Sequence, residues 1–118
     1  MDPRRAERVA ETIREELAEI VGYEMSDPRL AVVVVTGVEI SRDSRRAEVR
    51  VQASGDQHQQ REALKALEGA RHYLRREVAS RLRLFRAPEL YFEVDAGDSA
   101  SRVEELLERV RKERAGPA

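Results

Sequence analysis

The apolar residues of this 118-residue chain follow two different spacings, and each change of spacing marks a boundary between helix and strand. Spacings of three and four predict a helix over residues 4–24, which should end near Met25 because Asp27 precedes a proline. A mostly apolar run over Leu30–Ser41 and a strict alternation over Arg46–Ser54 predict an antiparallel hairpin. The first strand is so apolar that we expect it to be central in its sheet or covered on both faces.

The second half of the chain repeats this change from helix to strand. Helical spacing over residues 57–82 contains Gly69 and predicts either one bent helix or two helices end to end. Alternation over Glu89–Val94 predicts a third strand, and the apolar stripe of Val103–Val110 predicts a last helix. We therefore expect an α+β fold, a three-stranded sheet with helices on one face, over residues 1–95. Residues 96–118 should form a helical extension with frayed last residues.

The composition excludes several classes of protein. The chain has no cysteine, which excludes disulfide frameworks and cysteine-ligated metal sites. Its two histidines, His58 and His72, lie at no metal-ligand spacing, and no nucleotide-binding or hydrolase motif is present. We expect no enzyme activity, metal or cofactor. The longest apolar run, Leu30–Val35, is too short for a membrane span, and the N-terminus lacks a secretory signal. A soluble intracellular protein is therefore expected.

Positive charge is concentrated in one part of a chain whose net charge is −1. Residues 71–86 hold six arginines against a single acidic residue, Glu77. Such a stripe suits phosphate binding, but it could equally be a solvated helix face paired with the acidic segments. Twenty of the 22 basic residues are arginine, a bias that high genomic GC content can produce and that bidentate phosphate contacts also favour. Charge alone leaves both interpretations open.

Several segments are distinctive in their order, spacing and identity. They are Arg8–Leu17, Asp27–Leu30, Thr36–Asp43, Ala47–Val49, Ala70–Arg75 and Leu84–Phe92. Together they resemble the ribosome-binding factor A family over about residues 4–107. The resemblance implies a type II KH-like fold, ordered α–β–β–α–α–β, with a kinked helix pair in place of the usual KH loop. The family's Ala-x-Gly kink signature would start at Ala70. His72 stands where glycine is common, and Gly69 could carry the kink instead.

The resemblance also implies a function. It implies a non-enzymatic assembly factor that binds the free or immature 30S ribosomal subunit near the 5′ end of 16S rRNA. The factor would assist late maturation and processing of that end, with a role in cold adaptation. It implies a cytoplasmic protein, expected to be a monomer, whose partners are the 30S subunit and 16S rRNA, with no cofactor, membrane or small-molecule substrate.

Two arginine clusters are the candidate rRNA-binding residues. They are Arg71, Arg75, Arg76, Arg81 and Arg83 on the helix pair, and Arg42, Arg45 and Arg46 at the hairpin turn. Such side chains contact phosphates and set position while carrying little sequence information. With only five aromatic residues, an aromatic stacking platform is not expected.

The alternative function is a protein-interaction module that docks through its acidic first helix and its C-terminal amphipathic helix. Salt dependence separates the two functions, because RNA binding weakens steeply as salt rises.

Overall fold

The computed structural model describes residues 2–95, which form an α+β sandwich of three helices on one face of a three-stranded sheet. The elements are α1 (Pro3–Glu19), β1 (Val33–Ile40), β2 (Arg46–Ala53), α2 (Gln57–Gly69), α3 (Arg71–Arg81) and β3 (Glu89–Val94). This order confirms the α–β–β–α–α–β arrangement of the type II KH-like fold. The expected helix over Val103–Val110 and the extension over 96–118 lie outside the described residues.

The first helix begins and ends where the sequence predicts. The side chain of Asp2 accepts a hydrogen bond from the Arg4 N–H at 3.1 Å, and Pro3 occupies the first turn. The chain winds on into a π-helical turn, Ile20–Glu24, and leaves it at Met25. A short 3₁₀ turn, Pro28–Leu30, follows, so the first strand begins three residues later than the apolar run predicts.

The position of β1 in the sheet corrects the sequence prediction. The strand order is β1-β2-β3, so β1 lies at an edge and β2 is central. Val33 and Val35 are buried, whereas Val34 between them is 59% exposed. The prediction was wrong because valine favours any strand position through its β-branched shape, whether or not both faces are covered. A bulge between Val35 and Gly37 then resets the alternation of the strand.

The central strand β2 divides the sheet into a packed face and a solvated face, as its alternation predicts. Ala47, Val49 and Val51 are buried against the helices, while Arg46 and Arg50 point to solvent. Strand β2 pairs with β1 as an antiparallel hairpin, which confirms that prediction, and with β3 in parallel.

The segment over residues 57–82 forms two helices end to end. Asp56 opens α2 with a capping box, in which its side chain and that of Gln59 bond each other's backbone N–H groups. Ala70, with φ −96° and ψ 3°, separates α2 from α3. Gly69 is the last residue of α2, and His72 lies exposed in the first turn of α3. The break therefore lies at Ala70.

Candidate nucleic-acid interface

The fold brings two of the hairpin-turn arginines, Arg45 and Arg46, and one helix-pair arginine, Arg75, together at one end of the sheet. Parallel pairing sets Arg46 beside Glu89, and the Glu89 N–H donates to the Arg45 carbonyl at 2.8 Å. The result is a surface groove of about 770 Å³ between the hairpin turn, α3 and the start of β3. We call it the arginine groove, because Arg45, Arg46, Arg75 and Arg86 line it together with the acidic Asp43 and Glu89.

Hydrogen bonds within the hairpin turn (residues 41–45) hold the arginines of this side in place. The Ser41 hydroxyl donates to the Asp43 carboxylate at 2.7 Å, and the Arg45 N–H donates to the same carboxylate oxygen at 3.1 Å. These two contacts lower the pKa of Asp43 below its ordinary value. The Arg46 N–H donates to the Ser41 hydroxyl at 3.0 Å. The turn therefore presents Arg45 and the adjoining Arg46 from a backbone that its own side chains hold in place.

Tyr91 joins the two arginine clusters at the outer edge of β3. The guanidinium carbon of Arg46 lies 4.1 Å from the centre of the Tyr91 ring, and that of Arg71 lies 5.2 Å from it. The Tyr91 hydroxyl donates to the Glu89 carboxylate at 3.0 Å, which fixes the ring. Arg71 also pairs with Glu68, and its Nε is buried without a hydrogen-bond partner among the described residues. Tyr91 therefore orients two arginines by cation–π contact.

Arg75 contributes to the arginine groove chiefly by binding the loop that forms one side of it. Its Nε and Nη2 donate to the Ala87 carbonyl at 3.1 and 2.9 Å, and its Nη1 lies 3.8 Å from the Glu89 carboxylate. These contacts anchor the loop between α3 and β3, the segment that carries Arg86. Arg45 and Arg86 make no ion pair with any residue of the described part of the chain, so their guanidinium groups are available to a ligand.

Arg81 lies outside the arginine groove, and its positive charge is paired with carboxylates of the protein itself. Its guanidinium lies 2.5 Å from Glu24, 3.3 Å from Glu16 and 3.3 Å from Glu77. These carboxylates, Glu24 above all, raise the pKa of Arg81 above its ordinary value. The contacts give Arg81 a structural role that links α1 to α3.

The remaining candidates are exposed but lie outside the arginine groove. Arg76 and Arg83 make no ion pair within residues 2–95. Arg42 borders a second cleft, between the start of α1 and the end of β1. The structure therefore brings Arg45, Arg46 and Arg75 together, with Arg71 adjacent through Tyr91.

Arg86 and Tyr91 line the groove but are not among the candidates predicted from the sequence. Arg86 belongs to the basic segment 71–86, so its charge was visible, but its place beside the hairpin turn depends on the parallel pairing of β2 and β3. The outward position of Tyr91 followed from strand alternation, whereas its contact with Arg46 depends on the same pairing. Nothing in the order of residues along the chain reveals that pairing.

Neither a metal centre nor a membrane span is found in residues 2–95. No cluster there contains three or more of the side chains that could hold a metal ion. None of the described helices combines the length and the apolar character needed to cross a membrane.

Comparisons with known proteins agree on one family. A sequence model described as ribosome-binding factor A matches residues 5–107. Ribosome-binding factor A of Solibacter usitatus is 51% identical over 113 residues, which cover 95% of this chain and 92% of that protein. The crystal structure of the Thermus thermophilus ribosome-binding factor A superimposes with a TM-score of 0.70 at 29% identity, covering 79% of this chain and 98% of that one.

A second similar structure comes from a complex with the 30S subunit. It is a homology model of the Thermus thermophilus factor, fitted into a cryo-EM map of its complex with the 30S subunit. This chain matches it with a TM-score of 0.66 at 29% identity, covering 78% of this chain and 97% of that one.

Proposed function

Since this chain belongs to the ribosome-binding factor A family, we propose that it binds the small ribosomal subunit and that its arginine groove holds phosphates of the rRNA. The observation that carries the assignment to this groove is the meeting of arginines from the hairpin turn, α3 and the loop before β3 in one depression. Likeness to a factor whose complex with the 30S subunit has been visualised supports the choice of particle.

The chemistry of the groove suits an RNA backbone. Four arginines face two carboxylates there, so the groove is positive although the whole chain carries a net charge of −1. Arginine presents a planar fork of donors that matches two phosphate oxygens at once. Arg46 stacked on Tyr91 loses little further freedom when it binds, because its orientation is already set. Such contacts fix the position of an RNA segment without reading its sequence.

We extend this proposal to an assembly role for the factor. Binding changes the conformation of a particle only through a difference in affinity between two states. A factor that binds the processing-competent conformation of the immature subunit more tightly than its other conformations raises the population of that conformation. We propose that it thereby assists late maturation and 5′-end processing of 16S rRNA, without catalysis of its own. The same proposal includes a monomeric cytoplasmic protein and a role in cold adaptation.

The described residues give no support to the alternative of docking through the first helix. Ile13 and Leu17, the centre of its apolar stripe, are fully buried in the protein's own core. The solvent side of α1 carries mostly charged residues. The other helix of that alternative, Val103–Val110, lies outside the described residues.

The test is co-sedimentation of the protein with immature and mature small subunits at low and raised salt. The variant is Arg45→Gln with Arg86→Gln, since neither guanidinium group makes an ion pair within residues 2–95. The control is Arg61→Gln with Lys65→Gln, two exposed basic residues on α2. Arg75 is left unchanged, because its loss would also release the Ala87 carbonyl.

We expect the unaltered protein to favour the immature subunit and to bind less tightly as salt rises. The groove variant should bind more weakly, and the slope of log affinity against log salt should fall by about 1 for each arginine removed. The control variant should behave like the unaltered protein. Equal binding by both variants would remove the groove from the interface, and no binding by the unaltered protein at any salt would refute the ribosomal function.

A further inference from the structure

We propose that the loop between α3 and β3 extends the RNA contact beyond the arginine groove: Phe85 stacks on an unpaired nucleobase, and Arg83 and Arg86 hold the adjoining phosphates. The proposal rests on the proposed function and deepens it, because it specifies a single-stranded element of the rRNA as the ligand. The arginine groove by itself requires only phosphates.

Phe85 is the most exposed large apolar side chain of the described part of the protein. Its relative exposure is 107%, against 40% for Tyr73 and 59% for Val34. A phenyl ring has no polar atom to interact with water, so full exposure gives it no favourable interaction in the free protein. The ring makes a favourable interaction only when a partner covers it and removes its apolar surface from water.

The backbone around Phe85 fixes this exposure. Helix α3 ends in a Schellman motif, in which the Leu84 N–H donates to the Ala79 carbonyl at 2.9 Å and the Arg83 N–H to the Ser80 carbonyl at 3.3 Å. Arg83 adopts φ +53°, at the position where such motifs usually have glycine. Leu84 packs against the core, and the Phe85 side chain that follows it is exposed to solvent.

The far end of the loop is held as well. Arg75 binds the Ala87 carbonyl through two nitrogen atoms, and Ala87 is buried. The short segment between Leu84 and Ala87 is thus fixed at both ends, and Phe85 lies exposed within it. Its ring is presented to a ligand from a backbone that is already ordered, which lowers the entropic cost of binding.

The positive charge around the Phe85 ring favours a polyanionic partner. No acidic residue occurs between Glu77 and Glu89, and Arg83 and Arg86 make no ion pair in residues 2–95. Arg86 also lines the arginine groove, so an RNA backbone held in the groove would run towards the loop. An exposed ring beside unpaired arginines is the pattern of single-stranded nucleic-acid binding, where bases stack and arginines follow the backbone.

The protein offers its own matched control for this test. Tyr23 is 89% exposed, but it lies in the π-helical turn beside Glu24. The chain contains no tryptophan, so Phe85→Trp and Tyr23→Trp each introduce one fluorescent indole into the full-length protein. Stacking on a base quenches indole fluorescence, which makes the two variants direct reporters of the two positions.

The first experiment titrates each tryptophan variant with a short single-stranded oligoribonucleotide and with the same strand annealed to its complement. We expect the single strand to quench Phe85→Trp and not Tyr23→Trp, and the duplex to quench neither, because its bases are stacked within the helix. Equal response of both variants, or no response of Phe85→Trp to the single strand, would overturn the proposal.

The second experiment compares Phe85→Leu with the unaltered protein in binding to immature small subunits. Leucine keeps apolar area but removes the ring, and we expect affinity to fall about tenfold, as for loss of one stacked base. Unchanged affinity of Phe85→Leu would overturn the stacking while leaving the ribosomal function intact. Quenching by the oligoribonucleotide without any binding of the unaltered protein to subunits would support stacking and refute the ribosomal function.

Discussion

At the scale of single residues, Arg81 connects two helices that lie far apart in sequence. Its guanidinium lies between Glu77 on its own helix, Glu16 on α1 and Glu24 in the π-helical turn. The hydrogen bond from Arg81 lowers the pKa of Glu24 below its ordinary value. The charge of Glu24 is therefore favoured in the folded protein, and folding becomes sensitive to acid at this position.

The Glu24 contact predicts a pH-dependent difference between two proteins. A lowered pKa in the folded state means that the contact stabilises fully above the ordinary pKa of 4.5 and is lost as the pH falls through the lowered value. We predict that Glu24→Gln lowers the thermal unfolding midpoint at neutral pH and that the difference from the unaltered protein shrinks below about pH 4.5. Circular dichroism melts across this range measure the effect.

Glu19→Gln is the control for that series, because Glu19 is exposed on the same stretch of chain and forms no ion pair within residues 2–95. Its unfolding midpoint should follow that of the unaltered protein at every pH. A deficit in Glu24→Gln that stayed constant from neutral to acid pH would contradict the assigned role of the Arg81 contact.

At the scale of elements, the break between α2 and α3 lies at Ala70, and the glycine before it belongs to α2. A Cβ atom added at Gly69 would meet nothing within 4 Å, and the residue lies within the last turn of α2. We predict that Gly69→Ala stabilises the protein by about 0.5–1 kcal/mol, because alanine loses less backbone entropy on folding. Urea unfolding measures this change.

Gly55→Ala should have the opposite effect. Gly55 has φ +102°, and an added Cβ would collide with the Gln59 side chain that completes the capping box of α2. If Gly69→Ala also destabilised the protein, the glycine would be needed for the break, and the assignment of the break to Ala70 would be wrong.

The elements also show what the sequence can predict. Apolar spacing predicted the segments of all three described α-helices and all three strands, because each buries one side against the core, but it did not predict the short 3₁₀ turn Pro28–Leu30. It misplaced β1 in the sheet, because the valines there record strand preference more than burial. Apolar spacing also did not show that the residues of the arginine groove lie together. Arg45 and Arg86 come close only through the parallel pairing of β2 and β3. Spacing along the chain predicts a hairpin between strands joined by a short turn, but it carries no information on the pairing of strands that two helices separate.

At the scale of the whole molecule, the buried core of the described part of the chain, residues 2–95, spans residues 10–92. The predicted domain of residues 1–95 should therefore fold without the remainder of the chain. We predict that a protein ended after Asp95 unfolds cooperatively, with a single transition in urea monitored by circular dichroism. Loss of the cooperative transition would show that residues 96–118 complete the core, and would move the domain boundary.

The parallel pairing of β2 and β3 also has a kinetic consequence. The two strands are separated in the chain by α2 and α3, so they can pair only after both helices have been made and folded back over the sheet. Non-local pairings of this kind form late and slowly in folding. Both sides of the groove depend on that step. An incompletely synthesised chain therefore has the basic side chains but not the groove, and the proposed rRNA contact can form only when folding is complete.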